Sequence, residues 1–468
     1  MRNTHDVTSA SVSVNPFNGE EIKRYTYESA GEVEAALAHV ERGFRDWRNF
    51  SVDNRAKVMT KLAAILRRDE IKMATMITLE MGKPIAEARA EIVKCAVLCE
   101  WYAENGAAML RDAPVKVPTG EAYVSFQPLG AVFAVMPWNY PFWQVLRGAV
   151  AIMMGGNAYV LKHSSNVMGS AYLLRDAWNE CGLPLGVFTV LNISHDTATR
   201  VIKDRRIAAV TVTGSVRAGS AVAATAGSVL KKSVLELGGA DPFIVLADAD
   251  LERAVETAVH ARYQNTGQVC IAAKRLIIEE SVLSTFTEKF IAKVKALRTG
   301  DPMVSETEVG PMARHDLRDE LHKQVQLTVK EGASLIEGGH SLGGALGKGN
   351  FYAPTILAGV EIGMTAFREE VFGPVASLIR ARDAEHALEI ANTSDFGLSG
   401  AIWSSDLARA KTLARRLEVG STFVNGMSIT DPRVPVGGVK NSGYGRELSH
   451  FGMHEFVNIQ TVWIDRKA

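Results

Sequence analysis

Cys270 stands in the run Tyr263-Gln-Asn-Thr-Gly-Gln-Val-Cys270-Ile-Ala-Ala-Lys-Arg275, and Glu236 stands upstream in Leu-Glu236-Leu-Gly-Gly. A thiol is a strong nucleophile once ionised, and a carboxylate can direct water onto whatever the thiol has captured. Brought together, the two could hold an acyl group on sulfur and then hydrolyse it. An unperturbed thiol, with a pKa of about 8.5, is mostly protonated at neutral pH, so such a site must favour the anion. Gly267, with the polar Asn265 and Gln268 beside the cysteine, predicts a turn that opens onto a cleft.

Other polar residues stand out against apolar surroundings. Arg147 is the sole charge in the segment 122–161 and falls four residues after Trp143, so both face one side of a helix. A buried guanidinium without an anion is costly, so Arg147 predicts a carboxylate partner, from the protein or from a substrate. Asn139 is the first strongly polar group after a buried strand. Taken alone it would be a loop hydrogen bond or a helix cap. Glu236 alone would pass for a structural carboxylate beside a Gly-Gly turn, and Glu369-Glu370 for a solvated pair.

The elements that must position these residues follow from length and pattern. A chain of 468 residues exceeds one simple core, which predicts two or three domains. Lys plus Arg equals Asp plus Glu at 52 each, which gives no electrostatic reason to expect nucleic acid or an anionic membrane. The cysteines Cys95, Cys99, Cys181 and Cys270 are too few and too scattered for a disulfide framework. Cys95 and Cys99 lack the partners of a zinc site and read as core residues, while Cys181 reads as the last turn of a helix. No metal site is predicted, and a reducing cytoplasm fits this usage. The first residues, Met1-Arg-Asn-Thr-His-Asp, contain no apolar core of a secretory signal.

The segment 122–161 is long enough to suggest a membrane span. However, Pro128, Pro137, Pro141, Asn139 and Gln144 interrupt it, and Gly155-Gly156-Asn157 breaks it again. It reads as strand, loop, helix and strand inside an α/β core. Apolar strand runs at 130–136, 157–161, 188–191 and 208–213 alternate with helical patterns at 142–154, 166–180 and 196–203. That alternation predicts a parallel, doubly wound sheet with its ligand at the strand C-terminal ends. A second α/β unit starts near 238, with strands at 242–246 and 275–278 and helices at 250–264 and 281–295. Residues before about 110 read as long amphipathic helices, among them 30–45 and 52–78. The strand 456–464 has two open partners, the run 121–127 or another chain.

Seven motifs in order, namely Pro137-Trp138-Asn139-Tyr-Pro141, Leu161-Lys162-His-Ser-Ser165, Thr213-Gly214-Ser215, Leu235-Glu236-Leu-Gly-Gly239, Asn265-Thr-Gly-Gln-Val-Cys270, Glu369-Glu370-Val-Phe372-Gly-Pro374 and Pro435-Val-Gly-Gly-Val-Lys-Asn-Ser-Gly443, carry a likeness. Together they resemble those of the aldehyde dehydrogenase superfamily along nearly the whole chain. Within it, Pro141-Phe-Trp-Gln-Val-Leu-Arg147 and Cys270-Ile-Ala-Ala-Lys-Arg are most similar to the bacterial succinate-semialdehyde dehydrogenases.

The resemblance implies an α/β fold in three parts. A Rossmann-like nucleotide-binding domain would comprise 1–111 and 130–236, a second α/β catalytic domain 237–430, and a small β oligomerisation arm 112–129 and 447–468. It implies a homodimer or homotetramer. It makes Cys270 the nucleophile, Glu236 the base that activates water, and Asn139, with the Cys270 N–H, the holder of the oxyanion. Lys162, Ser165, Trp138, Gly214, Ser215, Glu370 and Phe372 would bind the dinucleotide, which this family holds without a G-x-G-x-x-G fingerprint. Arg147, Trp143 and Ser428 would line the aldehyde site, with Arg147 on a substrate carboxylate.

NAD-preferring relatives often carry Glu where this chain has Ser165. A carboxylate there would repel a 2′-phosphate, and Lys162 is close by, so NADP is predicted as the preferred cofactor, with NAD also accepted. The acid at Glu236 favours hydrolysis over acyl transfer to coenzyme A. The expected reaction is oxidation of a short ω-carboxy aldehyde such as succinate semialdehyde. Two alternatives stay open: a broad aliphatic or aromatic aldehyde dehydrogenase with Arg147 tied to a protein carboxylate, and a non-catalytic protein that keeps the fold.

Overall fold

The computed structural model describes residues 9–465. The first eight residues, read as lacking a secretory signal, and the last three, at the end of the expected arm, lie outside the described residues.

Two sheets organise the chain. The first runs in the spatial order Gly443–Tyr444, Lys232–Glu236, Ile207–Thr213, Ala131–Val135, Ala158–Lys162, Phe188–Val190, parallel throughout except for the short first strand. Ala131–Val135 and Ala158–Lys162 are almost wholly buried, as parallel strands covered on both faces must be. The helix Trp143–Met154 is buried at all twelve positions, Gln144 and Arg147 included, so it belongs to the core. This accounts for the span-like segment as strand, loop, helix and strand. No helix among the described residues is long and apolar enough to cross a membrane.

The expected long helix at 52–78 is two helices, Val52–Arg68 and Glu70–Met81. The break falls at Asp69, a weak helix former, which leaves the helical basin at φ −100°, ψ 16°. Arg68 grips the Asp69 carboxylate there and reaches Glu180 as well.

The second sheet follows the order Ser334–Glu337, Thr355–Ala358, Val375–Ala381, Arg275–Glu279, Pro242–Val245, Ser399–Trp403, Ser421–Val424. Only its first strand is antiparallel. Three strands form a separate small sheet, in which Val457–Ile464 pairs antiparallel with Glu121–Pro128, and Ala113–Val115 joins the other side. Of the two partners the sequence left open for the last strand, the structure shows the one within the chain.

Candidate active site

In the first sheet the chain order runs outward from Ala131–Val135 in one direction, then returns to start again at Ile207–Thr213 beside it. Such a reversal opens a crevice at the strand C-terminal ends. Trp138 and Asn139 follow the first of these strands, Gly214 and Ser215 follow the second, and Glu236 closes Lys232–Glu236. The Asn139 loop is pinned from beneath by His163, whose Nε2 meets Pro141 O at 2.9 Å while Nδ1 accepts the Ser164 N–H at 2.9 Å. Burial pushes the His163 pKa down to about 4, so the ring is neutral, as this pattern requires. At the start of helix Trp143–Met154, Glu91 accepts the N–H groups of Phe142 and Trp143 at 2.9 and 3.0 Å and pairs with the buried Lys83.

Cys270 arrives from the other side, five residues ahead of strand Arg275–Glu279. The site therefore lies between the C-terminal edge of one sheet and the N-terminal edge of the other. The approach is bent: Asn265 (φ 50°, ψ 35°) and Thr266 (φ 57°, ψ 31°) are left-handed, followed by Gly267 at φ 73°. Each non-glycine residue in that region costs about 1–3 kcal/mol, and a β-branched one is a genuine outlier. The surroundings enforce it. Glu87 accepts the Asn265 N–H at 2.7 Å, the Asn265 amide donates to Asn139 O at 2.9 Å, and the Thr266 hydroxyl donates to Gly310 O at 3.1 Å. A Cβ on Gly267 would stand 2.2 Å from Gly373 O, so only glycine lets the loop pack against the segment carrying Phe372.

Two cavities meet at Cys270. One, about 190 Å³, is walled by Lys94, Trp143, Arg147, Ser428, Ile429 and Thr430 among others. The other, about 230 Å³, is walled by Trp138, Asn139, Gly214, Ser215, Glu236, Glu370 and Phe372 among others. The first contains Trp143, Arg147 and Ser428, expected to line an aldehyde site, and the second contains Trp138, Gly214, Ser215, Glu370 and Phe372, expected to bind a cofactor, with Asn139 and Glu236 beside them. Burial raises the Cys270 pKa to about 11, opposed by the charges of Arg147 and Lys274 and assisted by Glu370 and Glu236. The resting thiol is therefore protonated at neutral pH.

Arg147 lies on the wall of the smaller cavity and is also paired within the protein. Its guanidinium pairs with Glu447, 300 residues downstream, and Nη2 lies 3.5 Å from Glu236 Oε2. All three side chains are almost fully buried. The arrangement is the protein-carboxylate alternative, because a guanidinium inside a core helix needs compensation whether or not substrate is present. Gly148 leaves room for it, since a Cβ there would stand 3.2 Å from Glu447 Oε1. Burial pushes the Glu236 pKa upward, Arg147 pulls it down, and Glu447 adds to the rise. Glu236 Oε1 has no hydrogen-bond partner.

The remaining expected residues divide as follows. Trp138 meets Phe372 edge-on at 5.8 Å. Ser215 caps helix Val216–Gly227, accepting the Ala218 N–H. Glu370 accepts the Gly239 N–H at 3.0 Å and lies 3.4 Å from Lys274, so part of its capacity is already used. Lys162 is buried at its strand end and forms no ion pair among the described residues, while Ser165 is exposed beyond it. Ser428 is bonded to Ser399 at 2.5 Å. Sequence reasoning missed Lys83, Glu87, Glu91, Lys94 and Glu447. A signal existed in Glu87, Glu91 and Cys95, which recur every four residues on the face of helix Ile85–Met109 that also buries Ala88.

A thiol at the junction of two clefts of a doubly wound α/β fold, with a carboxylate that has an unpaired oxygen on the wall of one cleft, defines an enzyme of covalent acyl chemistry. The chain belongs to the aldehyde dehydrogenase family, whose sequence model matches residues 4–462. It is 56% identical over 456 residues to the Escherichia coli K12 protein named succinate semialdehyde dehydrogenase Sad, described as using NAD(P)+, covering 97% of this chain and 98% of that one. It is 46% identical to a Mycobacterium avium succinate-semialdehyde dehydrogenase described as using NADP(+), with 97% and 96% coverage. The crystal structure of a succinic semialdehyde dehydrogenase from Streptococcus pyogenes with NADP+ superposes with a TM-score of 0.95 at 35% identity, covering 98% of this chain and 100% of that one.

Two outcomes follow from the geometry. Arg147→Met leaves two buried carboxylates uncompensated, so thermal or denaturant unfolding should show a loss of about 3–5 kcal/mol; a loss under about 1 kcal/mol would contradict the pairing. In the free protein, iodoacetamide labelling of Cys270, followed by mass spectrometry, should accelerate about tenfold per pH unit from pH 7 to 10. A plateau near pH 8 would show a thiol that burial does not restrain.

Proposed function

We propose that this chain oxidises succinate semialdehyde to the dicarboxylic acid with NADP as preferred cofactor, NAD serving as well. The observation that carries the reading is Cys270 at the meeting of the two cavities, with the free Glu236 oxygen on the wall of the second. The names of the Escherichia coli, Mycobacterium avium and Streptococcus pyogenes relatives support the substrate and the cofactor.

The Cys270 sulfur adds to the aldehyde carbon from the side of the smaller cavity. The carbonyl oxygen gains charge, and the Asn139 amide with the Cys270 N–H receives it. Asn139 spends one amide N–H on Gln268 O at 3.1 Å and keeps the other for this use. The bound dinucleotide supplies one thing, acceptance of the hydride that leaves as the adduct becomes a thioester. Glu236 then takes a proton from water as that water attacks the thioester. Its elevated pKa makes it a better base than an ordinary carboxylate. Asp or Glu absent from this position would leave no other group on that wall to do so, save Glu370, which is engaged with Lys274 and Gly239.

The residues present suit an NADP ribose end. Lys162 is a buried cation without a carboxylate, its charge and that of Arg217 both depress His195, and Ser165 brings no negative charge. The start of helix Val216–Gly227 adds backbone N–H groups oriented toward an anion. We further assign the protein to the cytoplasm as a homodimer or homotetramer. Among the described residues, the outer strand Val457–Ile464 exposes Ile459 and Trp463 on one face and pairs along one edge only, which suits a second copy.

Stopped-flow measurement of NADPH formation with succinate semialdehyde separates the two chemical roles. Cys270→Ser should lose both the initial burst and steady turnover. Glu236→Gln should keep a burst of one equivalent per site and lose about a hundredfold or more in steady state, because the thioester persists. A Glu236→Gln enzyme with unchanged steady turnover would end its assignment as base. Ser165→Glu should lower kcat/KM with NADP by about tenfold or more while NAD changes little, as like charges meet at the 2′-phosphate. Equal effects on both nucleotides would remove Ser165 from the cofactor site.

A further inference from the structure

Arg147 is already compensated by Glu447 and Glu236 whether or not an ω-carboxylate is bound. The same cavity contains a second cation. Lys94, on helix Ile85–Met109, projects into the wall that Cys270, Trp143, Ser428 and Thr430 also form. Its Nζ donates to the Thr430 hydroxyl at 2.6 Å and lies 4.2 Å from the centre of the Trp143 ring. No carboxylate of the described residues pairs with it. The acidic groups nearby are engaged elsewhere: Glu91 with Lys83 and the start of the next helix, Asp431 with Arg433.

An ammonium held this way has donors left over and a desolvation cost that the nearby Glu91 and Asp431 charges offset only in part. Burial pulls its pKa down to about 8, the direction expected of a lysine short of negative charge. A ring face on one side and a hydroxyl on the other fix Nζ in place without neutralising it. Resting on the reading of a carboxylate-bearing aldehyde, we propose that Lys94 is the specificity residue for this reaction, receiving the substrate carboxylate at the far end of the cavity while the aldehyde carbon meets Cys270. Trp143 packs along the methylene chain between them. A cavity of about 190 Å³ holds a short chain and little more.

The test compares kcat/KM for succinate semialdehyde with that for butanal, an uncharged aldehyde of equal length, at saturating NADP and pH 7. Because both rates come from one preparation, their ratio is independent of the active fraction. Lys94→Met should lower the ratio by about tenfold or more, mainly through KM for the charged substrate. Lys94→Arg, which keeps the charge, should bring it back to within about threefold of wild type. Lys94→Gln replaces the methionine variant if that one does not fold. A purely structural lysine would reduce both substrates equally and leave the ratio unmoved, which overturns the proposal. A wild type that prefers butanal, or neither, overturns the substrate reading itself. A wild-type preference that survives in Lys94→Met overturns the anchor alone.

Discussion

The site is governed by one constraint: a negative sulfur has to form in a place from which water is largely excluded. Desolvation acts on Cys270 more strongly than any neighbouring charge, and the two cations that oppose it are both held by other groups. Lys274 donates to the carbonyls of Val269 and Cys270 and faces Glu370. Arg147 is tied to Glu447 and to Glu236. Within that cluster Arg147 favours the thiolate more than Glu236 disfavours it, while burial, with a smaller push from Glu447, raises Glu236 against the pull of Arg147. Thiolate formation is consequently a property of the loaded site rather than of the resting protein, and an idle thiol is shielded from stray electrophiles.

Holding sulfur and carboxylate together across two sheets requires rigid ties, and buried charge supplies them. Among the described residues Arg262 forms no ion pair; it donates to the carbonyls of Gly267, Val371, Gly373 and Val375. One side chain thereby joins the loop before Cys270 to the loop that carries Phe372. Glu87 and Glu91 do the equivalent work from helix Ile85–Met109, reaching Asn265 on one side and the start of the Arg147 helix on the other. The left-handed run Asn265, Thr266, Gly267 persists because these ties over-determine it.

Much of this was legible in the sequence. Strands buried on both faces appear as unbroken apolar runs, and 131–135 and 158–162 were readable for that reason. Cys270, Glu236 and Asn139 could be singled out because their motifs are local, and the fold brings all three to one cavity. The helix break at Asp69 was hidden, since the apolar periodicity continues through it and only tertiary pairing of Arg68 reveals the kink. The ties from Glu87 and Glu91 were hidden as well. Their partners lie 178 and 51 residues away, and a charged residue on a helix usually faces water.

Arg147 and Lys94 show where one sound physical rule divides. A buried cation requires an anion, and the sequence offered Arg147 as the sole charge in an apolar segment. The anion came from Glu447, which no local pattern could indicate. Once that requirement is met inside the protein, Arg147 can set the field around Cys270 but is poorly placed to respond to whether a guest is charged. Lys94 has the reverse standing: among the described residues it forms no ion pair with a carboxylate, and an aldehyde that brings its own would satisfy it. Lysine suits the task, because a point charge with rotatable donors accepts a carboxylate without the planar geometry a guanidinium imposes. One cavity thus separates the two electrostatic duties of the reaction, with the permanently neutralised arginine beside the sulfur and the uncompensated lysine where the substrate's other end must go.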